Sequence, residues 1–198
     1  MNRFYAFCSF LARTFYHVFF KVEIVGEEAI DFKKRYVICS NHMSNHDPFL
    51  LGGLMPIQAH FMAKKELFKY KIVAFVLNAV YVFPVDRENN DIKAIKTALT
   101  LLRNNENLGL FPEGTRNRGF KPLPVKGGVA MMAIKTKTDI LPITIDSKFN
   151  WFGPVRVVYH KPVDLSEYYD QKVDALKLEE ISQKIMNDIY SDMVYYRP

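Results

Sequence analysis

The chain has 198 residues, enough for one domain with a sizeable core and too few for two of ordinary size. Hydrophobic residues make up 49% and charged residues 24%, which excludes a disordered chain, and a net charge of +6 favours an anionic partner: nucleic acid, a membrane surface or a phosphorylated substrate. Two cysteines, Cys8 and Cys39, give no disulfide framework and suit a reducing compartment.

Residues 4–21 are dominated by Phe4, Tyr5, Phe7, Phe10, Leu11, Phe15, Tyr16, Val18, Phe19 and Phe20. The polar positions Ser9, Arg13, His17 and Lys21 recur every four residues, so a helix here carries one narrow basic stripe beside a broad aromatic face. Arg13 and His17 interrupt any run long enough for a simple transmembrane span. The pattern fits a helix lying in a membrane interface, with a helix packed on the protein's own core as the alternative. Arg13 and the lack of a small-x-small site count against a cleaved signal peptide. Residues 22–25 read as a short strand ending at Gly26, and Lys33, Lys34 and Arg35 lead into the buried strand Tyr36-Val37-Ile38-Cys39.

That strand empties into Ser40-Asn41-His42-Met43-Ser44-Asn45-His46-Asp47-Pro48. Asp47 reads as an N-cap and Pro48 as the first helical residue, with Phe49, Leu50, Leu51 and Leu54 forming the apolar face. An imidazole at a strand exit, beside a carboxylate held by the next helix start, makes a base and its orienter: His42 takes a proton and Asp47 fixes the tautomer. Other readings compete. Asp47 as a simple cap and His42 as a polar turn residue also fit. His42 and His46 have the four-residue spacing of a zinc pair, but that spacing chelates only on one helix, and Pro48 places His46 before the helix. Cys39 and Ser44 lack the surroundings of a nucleophile. Spacing alone leaves the turn open.

Residues 59–63 form the next strand, followed by Lys64, Lys65, Lys69 and Lys71 with Phe68 and Tyr70 between them; they face anionic lipid or make a solvated helix face. Residues 72–85 are apolar apart from Asn78 and Pro84 and read as a helix turning into a strand at 80–83, before Val85-Asp86-Arg87. Ile92, Ile95, Leu99 and Leu102 are spaced as the core stripe of a helix. The strand Leu108-Gly109-Leu110-Phe111 then breaks into Pro112-Glu113-Gly114-Thr115-Arg116. Gly114 permits a turn with φ > 0 whose amides meet an anion, and the Arg116 fork matches phosphate, with Arg118, Lys121 and Lys126 adding charge. Glu113 orients Arg116 or binds a substrate hydroxyl; a plain surface turn fits the same residues. A helix from Gly127 through Lys135, a strand at 140–145, a strand at 155–159 and a long amphipathic helix bearing Leu178, Ile181, Ile185, Ile189 and Met193 complete the chain. Strand ends carrying His42, Arg87 and Arg116 predict an α/β domain with its site along one edge of the sheet.

Taken together, Asn41-His42-x4-Asp47, Val85-Asp86-Arg87, Phe111-Pro112-Glu113-Gly114-Thr115-Arg116 and Leu141-Pro142-Ile143 resemble the ordered blocks of the glycerolipid acyltransferases, and most of all the bacterial branch that acylates 1-acylglycerol-3-phosphate. The resemblance spans residues 36–145; Asn78 stands where that family commonly has Gly before the second block. It implies a single-domain mixed sheet flanked by helices over residues 22–198, preceded by a membrane-associating helix over 1–21. It further implies transfer of an acyl group from a thioester to the sn-2 hydroxyl, giving phosphatidic acid, with His42 as general base and Asp47 orienting it. Arg87, Glu113, Gly114, Thr115 and Arg116 fall to substrate binding, and Lys64 or Lys65 adds a phosphate contact. No metal or other cofactor is expected, since acyl-CoA or acyl-acyl carrier protein is itself a substrate, and the implied location is the cytoplasmic face of the cell membrane, peripheral or monotopic. Glycerol-3-phosphate or a lyso-aminolipid as acceptor, and a non-catalytic lipid-binding module, are the rival readings; no recognised nucleic-acid module is present.

Overall fold

The computed structural model describes residues 3–86 and 91–196. Helix α1 (Arg3–Phe19) leads into strand β1 (Lys21–Val25), and β2 (Val37–Ser40) runs through a loop into α2 (Asp47–Leu54). Then follow β3 (Ala59–Lys64), α3 (Lys71–Ala79), β4 (Val82–Val85), α4 (Ile92–Arg103) and β5 (Asn107–Leu110). Helix α5 (Gly128–Thr136), β6 (Ile140–Asp146), β7 (Pro154–Tyr159) and α6 (Ala175–Ser191) close the order.

The strands form one seven-stranded sheet in the order β1-β7-β6-β2-β5-β3-β4. Strands β6, β2, β5, β3 and β4 are mutually parallel, β7 is antiparallel to β6, and β1 is parallel to β7. The carboxyl ends of the five parallel strands therefore share one edge, where connecting loops converge. Every residue of β2 and β6 is buried, as expected of strands covered on both faces. Side-chain alternation splits the core. Val37, Cys39 and Leu108 pack beneath α4, α5 and α6, whereas Tyr36, Ile38, Leu141 and Ile143 pack beneath α1 and α2.

The first helix packs on the core and keeps an aromatic side exposed. Part of its polar stripe reaches α2: Arg13 Nε and Nη2 donate to the carbonyls of Gly53 (3.2 Å) and Leu54 (2.7 Å), satisfying the carboxyl end of that helix, while His17 stays exposed. Gly53 makes this approach possible, because a Cβ there would lie 2.7 Å from the Ala12 methyl. Tyr16 and Phe20 join the core, while Phe4, Phe7, Phe10, Leu11 and Val18 stay exposed. Helix α3 buries none of its residues and presents Ile72, Val73, Phe75 and Val76 to the outside, with Phe75 edge-on to Phe4 of α1. Among the described residues no helix is long and apolar enough to cross a membrane.

Three sequence expectations are corrected here. The fourth strand is β4 at Val82–Val85 and not 80–83, because the chain reverses at Tyr81, which takes a left-handed φ of 65°. On α4, Ile92 is 64% exposed and the buried line runs through Ala94, Ala98 and Leu102, so only part of the aliphatic stripe is core. Helix α2 is capped by His46, already helical at φ −71° and ψ −28°, and Asp47 is its first residue. The Asp47 carboxylate is thereby released to turn back onto the preceding loop.

Candidate active site

The loop between β2 and α2 is built around that carboxylate. Asp47 is fully buried, and its Oδ2 accepts from the amides of Met43 (2.6 Å) and Ser44 (2.7 Å) and from His42 Nδ1 (2.8 Å). Two backbone donors and the positive end of α2 compensate a charge that would otherwise be costly to bury. Since an ionised carboxylate only accepts, the proton of the neutral imidazole sits on Nδ1 and the Nε2 lone pair is left as the basic site. Among the described residues nothing hydrogen-bonds Nε2. The His42 side chain is 11% exposed, and its ring stacks on Phe111 with centroids 4.4 Å apart.

Neighbouring elements fix this loop from every side. The Asn41 side chain pairs with Ile145 as a further strand residue would, donating to its carbonyl and accepting from its amide, both at 2.8 Å. Tyr16 of α1 donates its hydroxyl to the His46 carbonyl at 3.1 Å, and the His46 ring stacks on Phe149. His46 is therefore a packed loop residue, and among the described residues no cluster of His, Cys, Asp or Glu could hold a metal. Burial among apolar groups pushes the Cys39 thiol well above its ordinary range, which leaves it an inert core residue.

The second turn follows β5. Cys39 of β2 lies opposite Leu110 of β5, so His42 and Glu113 leave the sheet side by side. Glu113 Oε2 accepts from the His42 amide (3.2 Å), and Oε1 accepts from Asn117 Nδ2 (2.7 Å) and the Leu123 amide (3.0 Å). The Tyr190 hydroxyl donates across both oxygens, at 2.9 and 3.0 Å, and the Asn117 amide donates to the His42 carbonyl at 2.7 Å. The glutamate thus holds the His42 backbone, where sequence gave it Arg116 or a substrate hydroxyl. Burial, and then the adjacent Glu113 charge, raise the Tyr190 phenol far above its usual range, so it stays a donor. Gly114 takes φ 65° at the tip, and Gly114, Thr115 and Arg116 are exposed, with no ion pair to Arg116 among the described residues.

Lys64 ends β3 on this same strand edge, half exposed and 3.8 Å from Glu66. Arg87 lies outside the described residues. Asn117 and Tyr190 carry no signal in the sequence: one is a polar loop residue, the other a tyrosine on an amphipathic helix.

Residues 21–146 match the family model described as Acyltransferase. The chain belongs to the acyltransferase family. Over 139 residues this acyltransferase is 35% identical to the 1-acyl-sn-glycerol-3-phosphate acyltransferase of Bacillus subtilis, covering 70% of this chain and 69% of that protein. It is 30% identical over 180 residues to the enzyme of that name from Borreliella burgdorferi, covering 88% and 70%. The crystal structure of the 1-acyl-sn-glycerophosphate (LPA) acyltransferase PlsC from Thermotoga maritima superposes with a TM-score of 0.73 at 25% identity, over 96% of this chain and 77% of that one. The acyltransferase fold predicted from the sequence, a mixed α/β sheet flanked by helices, is the fold observed.

Proposed function

We propose that this acyltransferase moves a fatty acyl group from a thioester to the sn-2 hydroxyl of 1-acylglycerol-3-phosphate, forming phosphatidic acid. The observation that carries the mechanism is the buried His42–Asp47 pair with Nε2 open, one strand away from the Arg116 loop. His42 Nε2 takes the acceptor's hydroxyl proton as its oxygen attacks the thioester carbonyl. Asp47 stabilises the imidazolium so formed. The tetrahedral oxyanion collapses by breaking the carbon–sulfur bond, and the thiolate recovers the proton from His42. No acyl-enzyme is required.

Acceptor choice rests on charge and on the relatives' names. Arg116 offers its guanidinium fork to the phosphate, Gly114 and Thr115 shape the loop, and Lys64 adds a second cation. The acyl carrier is coenzyme A or acyl carrier protein. The outward aromatic face of α1, continued by Phe75 of α3 at one end and by Trp151 and Phe152 beside Phe19 at the other, supports docking in the interface of an anionic leaflet. A helix of this length runs about 25 Å along that plane. Lys64, Lys65, Lys69 and Lys71 flank α3, and the net charge of +6 favours the cytoplasmic face.

Thiol release by the purified protein tests this, with palmitoyl-CoA or palmitoyl-acyl carrier protein as donor and a panel of acceptors. Release with lysophosphatidate, and not with glycerol-3-phosphate or a lyso-aminolipid, is expected. Release confined to another acceptor would overturn the acceptor assignment and leave the mechanism standing.

A further inference from the structure

We infer that Tyr190, near the end of α6, is a positioning residue that acts on His42 through Glu113. The inference rests on the reading of His42 as the base. Three features carry it: direction of hydrogen bonding, what the cluster grips, and how α6 is anchored.

Asn117 Nδ2 lies 2.9 Å from the Tyr190 hydroxyl. The two Nδ2 protons have nearer acceptors in Glu113 Oε1 and the Lys121 carbonyl, both at 2.7 Å, and a carboxylate only accepts, so the single proton of the phenol points at Glu113. That carboxylate is oriented by four protein donors: the His42 and Leu123 amides, Asn117 Nδ2 and the Tyr190 hydroxyl. The cluster holds both polar groups of the His42 backbone, the N–H through Glu113 and the C=O through the Asn117 amide. Asp47 holds the imidazole from the other side, and the place of Nε2 is the product of both grips.

Helix α6 is itself tied to this edge of the sheet. Asp146, at the end of β6, is fully buried and accepts from the amides of Val194, Tyr195 and Tyr196, just beyond the helix. Its neighbour Ile145 is the residue that pairs with the Asn41 side chain, next to His42. The segment just after α6 and the His42 loop are thus fixed to adjacent residues of one strand, and Tyr190 bridges the space between them.

Removing the hydroxyl leaves the ring and its apolar packing in place and takes one donor from Glu113, so the His42 backbone loses its fixed support. Catalysis is steep in such displacements, where about 1 Å costs on the order of 10²-fold. Tyr190→Phe, Glu113→Gln, the double variant and the surface control Tyr195→Phe are compared with lysophosphatidate and palmitoyl-CoA, well below each variant's Tm. For Tyr190→Phe, kcat is expected to fall about 10-fold or more, with KM for both substrates held within about twofold. The double variant is expected to be no slower than Glu113→Gln alone, because both changes remove one linkage. Tyr195→Phe, which loses only a 3.2 Å contact to Glu23, keeps the parent kcat. A parent-like kcat for Tyr190→Phe, or a double variant in which the two losses multiply, would overturn the inference. His42→Ala in the same assay separates the two failures. An active His42→Ala protein removes the base reading itself, whereas an inactive one beside a fully active Tyr190→Phe removes only the role of Tyr190.

Discussion

At the scale of single residues, Asp47 does more for the site than cap a helix. One of its oxygens collects three hydrogen bonds, two of which shape the loop and one of which aims the imidazole. Asp47→Asn keeps the volume and an acceptor for the amides but loses the charge that stabilises imidazolium. Its kcat is expected to fall roughly 10²- to 10⁴-fold, with a circular dichroism spectrum like the parent's. Arg116→Ala separates recognition from chemistry, because the guanidinium is exposed and among the described residues carries no structural hydrogen bond. Steady-state kinetics should show KM for the phosphorylated acceptor rising more than KM for the acyl donor; equal effects would contradict the phosphate role. The His42–Asp47 pairing is legible in sequence since both residues lie within one strand–turn–helix unit. The grip on His42 by Glu113 and Tyr190 is not, because it joins residues 71 and 77 positions apart that only the sheet register and α6 bring together.

At the scale of elements, α1 is a lid on α2 as well as an aromatic face. Deleting residues 1–21 would uncover Leu50 and Leu54, so membrane binding is better read from outward residues. Phe7→Ser with Phe10→Ser should lower co-sedimentation with anionic liposomes while Tm stays within a few degrees of the parent. Gly53→Ala presses a methyl against Ala12 and should cost about 1–3 kcal/mol, seen as a Tm lower by several degrees. The existence of these helices and of most strands follows from periodicity and from Gly and Pro punctuation. The α3–β4 boundary does not, since residues 72–83 offer no glycine or proline and the reversal falls on a tyrosine. Nor does the stripe of Ser9 and Arg13 announce its direction: a helix with one polar line satisfies its own core or a membrane equally well until α2 presents open carbonyls to it.

Across the whole molecule, buried titratable groups set a window of stability. Burial lowers the pKa values of His60 and His160, against the pull of Glu106 and Asp192. Below the ordinary histidine value of 6.5 the unfolded chain therefore binds more protons than the folded one, and stability falls as pH drops. Burial raises Tyr16, Tyr159 and Tyr190, so above 10.0 the folded chain keeps protons that the unfolded chain releases, and stability falls as pH rises. Tm measured against pH should show a plateau between these limits; a Tm rising above pH 10 would contradict the burial of those phenols.

The central claim is that His42, held by Asp47, removes the proton from the acceptor hydroxyl. The most direct measurement is kcat of folded His42→Ala with lysophosphatidate and acyl-CoA, beside its thermal melt. The account predicts a loss of roughly 10²- to 10⁴-fold or more with the melt little changed. A folded His42→Ala protein turning over at near the parent rate would contradict it.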